Sequence, residues 1–245
     1  MIFKRKETYH VSEYMLESVA FIPDGNRRYA KKAGVSLLES YSMGTKKAWE
    51  VMDWMVKYPD LKVGTFYTFS LKNFNRSGTE LKVLMKLFEK ELDLVRKRDI
   101  FAEKGIRLKF IGQTDRFSKT LQKKMAEAEE YTEDFKEKTI NLALGYDGQT
   151  EIVDAAKKFA DDVQKGLATT ADLTVNSFGK YLYSDFKAPD LIIRTSNEQR
   201  LSGFLTYQAS YSELAFVNKY WPELQEKDVD KIFSEYNSRD RRFGK

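Results

Sequence analysis

The sequence predicts an α/β fold, a parallel sheet with helices on both faces. Short apolar runs rich in β-formers recur along the chain, and segments with helical apolar spacing separate them. No stretch rich in Pro, Gly or Ser interrupts the alternation, and only 4 of 245 residues are proline. One domain over 1–245 is expected, with 1–18 as a peripheral N-terminal segment.

The first strand is expected at Val19–Pro23 (VAFIP), followed by a polar helical stretch, Asn26–Lys32, closed by Gly34. Between Ser36 and Lys57, Ala48, Val51, Met52 and Met55 recur at helical spacing. Val63–Ser70 (VGTFYTFS) is a second strand by composition. Thr79–Asp99 reads as one long helix with Leu81, Leu84, Met85, Phe88, Leu92 and Val95 on one face. Leu87 and Leu94 widen that stripe, and Glu91 interrupts its edge. Such faces are core more often than ligand tunnels, although a wide stripe beside an anion site could line a slot for a hydrocarbon chain. Ile106–Ile111, Thr139–Ala143, Leu191–Arg194 and Glu213–Val217 complete the strands. Helices are expected near Arg116–Tyr131, Thr150–Lys165 and Lys227–Tyr236.

Composition excludes several chemistries. With no Cys and one His, His10, thiolate zinc sites, disulfides, cysteine nucleophiles and multi-histidine metal centres have nothing to build on. Neither GxxxxGK[ST] nor a GxGxxG after a strand occurs. The net charge of +5, spread among both signs, suits small anions better than nucleic acid. No apolar run is long enough for a signal peptide or a membrane span, so a cytoplasmic location is expected.

In parallel sheets function gathers at the carboxyl ends of the strands. After the first strand stand Asp24, Gly25, Asn26, Arg27 and Arg28. Gly25 permits close backbone approach, a helix N-terminus attracts anions, and the arginines are phosphate donors. Asp24 suits such a place where a hard cation bridges it to phosphate. An ordinary helix cap with solvated arginines explains this motif equally well. After the second strand stand Ser70, Asn73, Phe74 and Arg76, by themselves an ordinary loop. Arg194, Arg200 and Ser202 could hold a second diphosphate or belong to a charged surface loop. Glu213 in YSELAF could join Asp24 at a magnesium ion or be a strand-end charge, and RDRRFGK reads as a solvated basic tail. Together these clusters suit an enzyme holding two diphosphates around Mg²⁺.

The ordered blocks VAFIPDGNRRYAKKAG, FYTFSLKNFNR, LKFIG, INLALGYDG, LIIRTSNEQRLSGFL, YSELAF and RDRRFG span nearly the whole chain. In them the chain resembles the cis-prenyltransferases, the undecaprenyl (polyprenyl) diphosphate synthase family. The resemblance implies a six-stranded, mostly parallel sheet surrounded by helices, with a hydrophobic substrate tunnel, in a homodimer. It implies Mg²⁺-dependent condensation of isopentenyl diphosphate with an allylic prenyl diphosphate, in cis geometry, to a polyprenyl diphosphate. The allylic diphosphate would bind at Asp24–Arg28, and isopentenyl diphosphate near Arg194, Arg200, Leu201 and Ser202. Mg²⁺ would be held by Asp24 and Glu213, and Asn73 would accept a proton, alone or in a relay with Ser70. Tyr29, Tyr41, Leu71, Lys72, Phe74 and Arg76 match substrate contacts, and RDRRFG a segment reaching the partner subunit's site. A hydrophobic product implies transient membrane contact.

The chain departs from the family pattern around the substrates. Tyr41 stands where His is expected, Leu37 where Arg is common, and Lys72 where an acidic residue is usual. Arg194-Thr195-Ser196-Asn197-Glu198 replaces Arg-Thr-Gly-Gly-Glu, and Tyr146-Asp147-Gly148-Gln149 replaces Tyr-Gly-Gly-Arg. These changes leave open a short-chain or non-head-to-tail (head-to-middle) coupling enzyme, and, from another class, a non-catalytic accessory subunit. The retained Asp24, Asn73, Arg194, Arg200, Ser202 and Glu213 favour catalysis.

Overall fold

A computed structural model describes residues 15–239. His10 and most of the expected peripheral segment 1–18 lie outside the described residues, as does all of the RDRRFG tail beyond Arg239. Six strands form one sheet: β1 (Ser18–Ile22), β2 (Val63–Ser70), β3 (Ile106–Ile111), β4 (Lys138–Tyr146), β5 (Leu191–Thr195) and β6 (Glu213–Val217). Their order across the sheet is β3-β4-β2-β1-β5-β6. Every pairing is parallel, so the expected α/β class with a six-stranded sheet is found.

The central strands β1 and β5 are buried along their whole length, which explains their unbroken apolar runs. Alternate residues still serve opposite faces. Val19 and Phe21 pack into a core with Met52, Met55 and Trp221, whereas Ala20 and Ile22 join Tyr146, Phe204 and Leu205 on the other side. A third cluster, around Phe69, Leu84, Leu87 and Phe117, sits beside the C-terminal ends of β2 and β4.

The connections begin with α1 (Asn26–Ala33) and α2 (Leu37–Val56). A reciprocal cap starts α2: the Glu39 N–H donates to Ser36 Oγ at 3.2 Å, and the Ser36 N–H to Glu39 Oε2 at 2.8 Å. The long helix expected over 79–99 is divided. It runs as α3 (Gly78–Asp93), passes a 3₁₀ turn at Val95–Lys97 that leaves Val95 buried, and resumes as α4 (Asp99–Glu103). Next come α5 (Lys119–Tyr131), α6 (Gly148–Gln164), α7 (Val175–Gly179) and α8 (Glu226–Asn237). Helix α5 starts three residues later than the sequence predicts, because Ser118 caps it through the Leu121 N–H at 3.2 Å. Among the described residues no helix is long and apolar enough to cross a membrane.

Candidate active site

The residues after β1 and β5 meet because the two strands are neighbours in register, Ile22 opposite Arg194. Arg194, 4% exposed, donates to Asp24 Oδ2 at 2.8 Å and to Ser202 Oγ at 2.9 Å, and also to the Arg200 carbonyl. Arg28 Nη2 lies 3.1 Å from Asp24 Oδ1, and its Nη1 donates to Glu198 Oε1 at 2.7 Å. Arg200 also pairs with Glu198. Three guanidinium groups and two carboxylates therefore stand together. Burial pushes the Asp24 carboxyl up, but the bonds and charges of Arg194 and Arg28 outweigh it and hold the group below its ordinary range. Bonding to Arg28 first, and then to Arg200, lowers Glu198 as well.

The backbone here is seated tightly. Thr195 Oγ1 accepts from the Asp24 N–H at 2.9 Å and donates to the Asp24 carbonyl at 2.7 Å. Gly25 takes φ +103°, where a Cβ would stand 2.7 Å from both Ser196 Oγ and Tyr220 Cδ1. Helix α1 begins directly after it, with its first N–H groups aimed at this corner. Asn26 Oδ1 is buried without a partner, as is Ser196 Oγ. Ser196 and Asn197 both hold positive φ, at +78° and +55°, in the two places where the family pattern has glycines.

A second cluster faces the first from α2 and α3. Tyr41 donates to Glu80 Oε1 at 2.5 Å, and Arg76 Nη1 donates to the Tyr41 hydroxyl at 2.9 Å and to Glu80 Oε1 at 3.0 Å. Arg27 Nε lies 4.0 Å from the same carboxylate. Burial, and then the bond to Glu80, push the Tyr41 phenol above its usual range, so it acts as a neutral donor. Asn73 Oδ1 accepts from the Ser70 N–H at 3.1 Å, and Phe74 packs edge-on to Phe69 at 4.9 Å under the Arg116 guanidinium.

Between these clusters opens a largely apolar cavity of about 200 Å³. Pro23, Asn26, Tyr41, Asn73 and Arg76 line its polar end. Its walls descend between α2, α3 and the sheet past Met52, Phe66, Leu84 and Leu87. The arrangement can hold an oxyanion group at the arginines with an apolar tail beneath it.

The structure brings Asp24–Arg28, Ser70, Asn73, Arg76, Tyr41, Arg194, Arg200 and Ser202 to one end of the sheet. Tyr29, Leu71 and Leu201 are half-buried on the same loops and helix ends, while Lys72 is exposed. Glu213 stands apart from this group within one chain. It opens β6 opposite Leu191, three residues before Arg194, and at about 3.3 Å per residue that is roughly 10 Å toward the amino ends of the strands. It pairs there with Arg239 at 2.6 Å. The Asp24–Glu213 magnesium pair is therefore not formed within one chain. Among the described residues no group of three or more His, Asp or Glu gathers as a metal cage.

Sequence reasoning gave no role to Glu198, Thr195 and Glu80. For Glu198 the signal was its place as the retained Glu of the Arg194–Glu198 block, two residues before Arg200.

The model of the family described as putative undecaprenyl diphosphate synthase matches residues 22–244. A tritrans,polycis-undecaprenyl-diphosphate synthase (geranylgeranyl-diphosphate specific) of Thermoplasma acidophilum is 38% identical over 228 residues, covering 93% of this chain and 88% of that protein. An isoprenyl transferase of Fusobacterium nucleatum is 38% identical over 226 residues, 92% of this chain and 94% of that protein. Among solved structures, lavandulyl diphosphate synthase from Lavandula x intermedia, in complex with dimethylallyl diphosphate, is similar with a TM-score of 0.88 and 31% identity. The likeness covers 94% of this chain and 99% of that one. A probable undecaprenyl diphosphate synthase from Campylobacter jejuni gives 0.77 and 28%, covering 95% of this chain and 100% of the other.

Proposed function

The chain belongs to the undecaprenyl diphosphate synthase family of cis-prenyltransferases, and we propose on that footing that it condenses isopentenyl diphosphate with an allylic prenyl diphosphate. One observation carries the reading: an apolar cavity that opens beside a cluster of arginines around Asp24. The allylic diphosphate lies at the start of α1, on Arg27, Arg28 and the free N–H groups, with its tail in the cavity. Isopentenyl diphosphate takes Arg194, Arg200 and Ser202. Both diphosphates compete with Glu198 for Arg28 and Arg200, and win by carrying more charge and more acceptor oxygens.

The allylic C–O bond breaks, and the departing diphosphate keeps the electron pair. The alkene of isopentenyl diphosphate attacks the allylic carbon, and the resulting cation loses a proton. The arginines hold the charge that develops on the leaving group. The apolar walls keep water from the cation. Asn73, with Ser70, accepts the departing proton in relay and passes it to the released diphosphate, whose oxygens are basic enough to keep it, and Tyr41 and Glu80 hold Arg76 at the mouth.

Asp24 fits Mg²⁺, which binds through one or two carboxylates together with substrate phosphate oxygens and water. It is 27% exposed, ionised and turned to the site. When bound, the ion would neutralise diphosphate charge. A homodimer is supported by the outer strand β6, where Leu214 is 42% exposed and neighbouring Tyr211 87%. Sedimentation of the purified chain tests it.

The experiment on activity mixes the protein, Mg²⁺ and labelled isopentenyl diphosphate with allylic donors of increasing length, and reads products by mass spectrometry. Head-to-tail products differing by isoprene units are expected. Arg200→Ala should raise the KM for isopentenyl diphosphate about 10- to 100-fold, the loss of a charged hydrogen bond. No product with any donor refutes the reading. A second reading, coupling of two short allylic diphosphates, is favoured by the likeness to the lavandulyl enzyme. It requires a product from dimethylallyl diphosphate alone.

A further inference from the structure

The turn that carries Asn73 is held weakly by its own bonds. Leu71–Asn75 forms a single 3₁₀ turn after β2, with no buried residue. Its hydrogen bonds are local: the Ser70 N–H donates to Asn73 Oδ1 at 3.1 Å, and the Arg76 N–H to the Asn73 carbonyl at 3.1 Å. A turn of this kind opens at low free energy unless side chains tie it to the body of the fold. Phe74 is its one aromatic side chain, and it is held from three sides. Phe69 meets its ring edge-on at 4.9 Å, Phe117 lies at 5.2 Å, and the Arg116 guanidinium stands over it at 4.9 Å. Arg116 and Phe117 come from the segment after β3, which is itself firmly tied. The Gln113 N–H donates to the Gly145 carbonyl at 3.0 Å, and the Gln113 side-chain amide to Asp154 Oδ2 at 2.9 Å. The Gln122 amide donates to the carbonyls of Asp115 at 2.9 Å and Phe117 at 2.7 Å. Arg116 is exposed and has no carboxylate partner among the described residues, so the Phe74 ring is the partner of its charge.

Resting on the prenyl-transfer reading, we infer that Arg116 is a positioning residue: by clamping Phe74 from outside, it fixes Asn73 on the path of the departing proton. The two ends of the turn are secured differently. Arg76 is fixed from α2 and α3 by Tyr41 and Glu80. Asn73 relies on the Ser70 N–H and, through its neighbour Phe74, on the cation of Arg116. Loss of that cation therefore loosens Asn73 while Arg76 keeps its place at the mouth. The consequence falls on turnover and spares substrate binding. An arginine that itself held a diphosphate would do the reverse, because its loss would weaken binding first.

Two measurements test this and separate it from the reading beneath it. The first is amide hydrogen exchange of the purified protein, read by mass spectrometry, which needs no substrate. In Arg116→Ala, exchange over residues 70–76 should quicken about two- to fivefold, the equilibrium factor of an exposed cation–π contact, with the rest of the chain unchanged. Arg116→Lys, which keeps a cation over the ring, should fall between Arg116→Ala and wild type. Added to Phe74→Leu, Arg116→Ala should have no further effect, because the contact it removes is already gone. The second is steady-state kinetics with Mg²⁺ and both diphosphates. Arg116→Ala should lower kcat by about two- to fivefold and leave both KM values within about twofold, and Arg116→Lys should recover part of the loss. Faster exchange confined to this turn, in a protein that yields no prenyl product with any donor, leaves the clamp standing and removes the prenyl-transfer reading. Unchanged exchange at residues 70–76, an additive effect on Phe74→Leu, faster exchange with wild-type turnover, or a raised KM at constant kcat overturns the positioning role.

Discussion

Gly25→Ala isolates what holds Asp24 in place. Gly25 sits at φ +103°, and a methyl group there would meet Ser196 Oγ and Tyr220 Cδ1 at 2.7 Å. Gly34, at φ +68°, has nothing within 4 Å of the same added atom and serves as its control. Both substitutions carry the penalty of an L side chain at positive φ, about 1–2 kcal/mol. Only the first adds overpacking, about 1–3 kcal/mol more, because Ser196 is buried and Tyr220 lies under the cations of Arg28 and Lys32. At about 2–4 °C per kcal/mol for a chain of this size, Gly34→Ala should lower the melting midpoint by about 4 °C and Gly25→Ala by about 10 °C, both scanned at one rate. Asp24 is the residue before Gly25, so the displacement reaches its carboxylate. A shift near 1 Å at a reacting centre costs about 100-fold in rate, and folded Gly25→Ala should lose at least that much product formation while Gly34→Ala keeps it. Equal midpoint shifts, or a folded Gly25→Ala with full turnover, would refute the account of this corner.

Three further outcomes follow from the same geometry. Asp24 is lowered by Arg194 and Arg28, so its charged form contributes stability above the ordinary carboxylate range, which is lost as pH falls through the depressed value. Urea midpoints should therefore fall more steeply below about pH 4 in wild type than in Asp24→Asn, and parallel curves would contradict the assignment. Tyr41→Phe removes the phenol joining Glu80 and Arg76; about 1–2 kcal/mol of stability should go, with a several-fold rise in the KM of the allylic donor at nearly constant kcat, and an unchanged KM would deny Arg76 its place at the mouth. Ser196→Gly relieves a non-glycine residue at φ +78° whose hydroxyl has no partner, so chemical denaturation should show a gain of about 1 kcal/mol, and a loss would mean that the hydroxyl stabilises the loop.

The parts of the fold legible in the sequence are those where one local signal suffices. β1 and β5 announced themselves as unbroken apolar runs because both faces are covered. The limits of α2 were marked by Ser36 and by the end of apolar spacing near Lys57. The α3–α4 break escaped the same reasoning. Neither Gly nor Pro marks it, and Val95, already on the apolar face of the helical pattern, stays buried through the 3₁₀ turn, so the apolar spacing runs across the break without recording it. The site divides in the same way. The Asp24–Arg28 motif is local and was readable. The role of Glu198 depends on Arg28 arriving beside it from a helix 170 residues away, next to its loop neighbour Arg200. The place of Glu213 was not readable, because its motif lies at the start of a strand, and the strand's direction, not its composition, decides which end of the sheet it reaches.

Strand order explains why chemistry concentrates between β1 and β5. From β1 the chain moves outward to β2 on one side, and β3 and β4 lie beyond; it then returns across β1 to place β5 and β6 on the other side. The connection leaving β1 runs to β2 on one side and the connection leaving β5 runs to β6 on the other, so the two diverge and a crevice is left at the carboxyl ends of β1 and β5, where open parallel sheets bind ligands. Asp24 and Arg194, 170 residues apart in sequence, become direct partners there. The cavity starts on the β2 side of the same crevice, because α2 and α3 flank β2 before the chain turns to β3. Charge from the β1–β5 side and apolar surface from the β2 side therefore meet at one mouth. A diphosphate and its hydrocarbon tail make opposite demands on their surroundings, and a site at this reversal of strand order can satisfy each from a different set of elements.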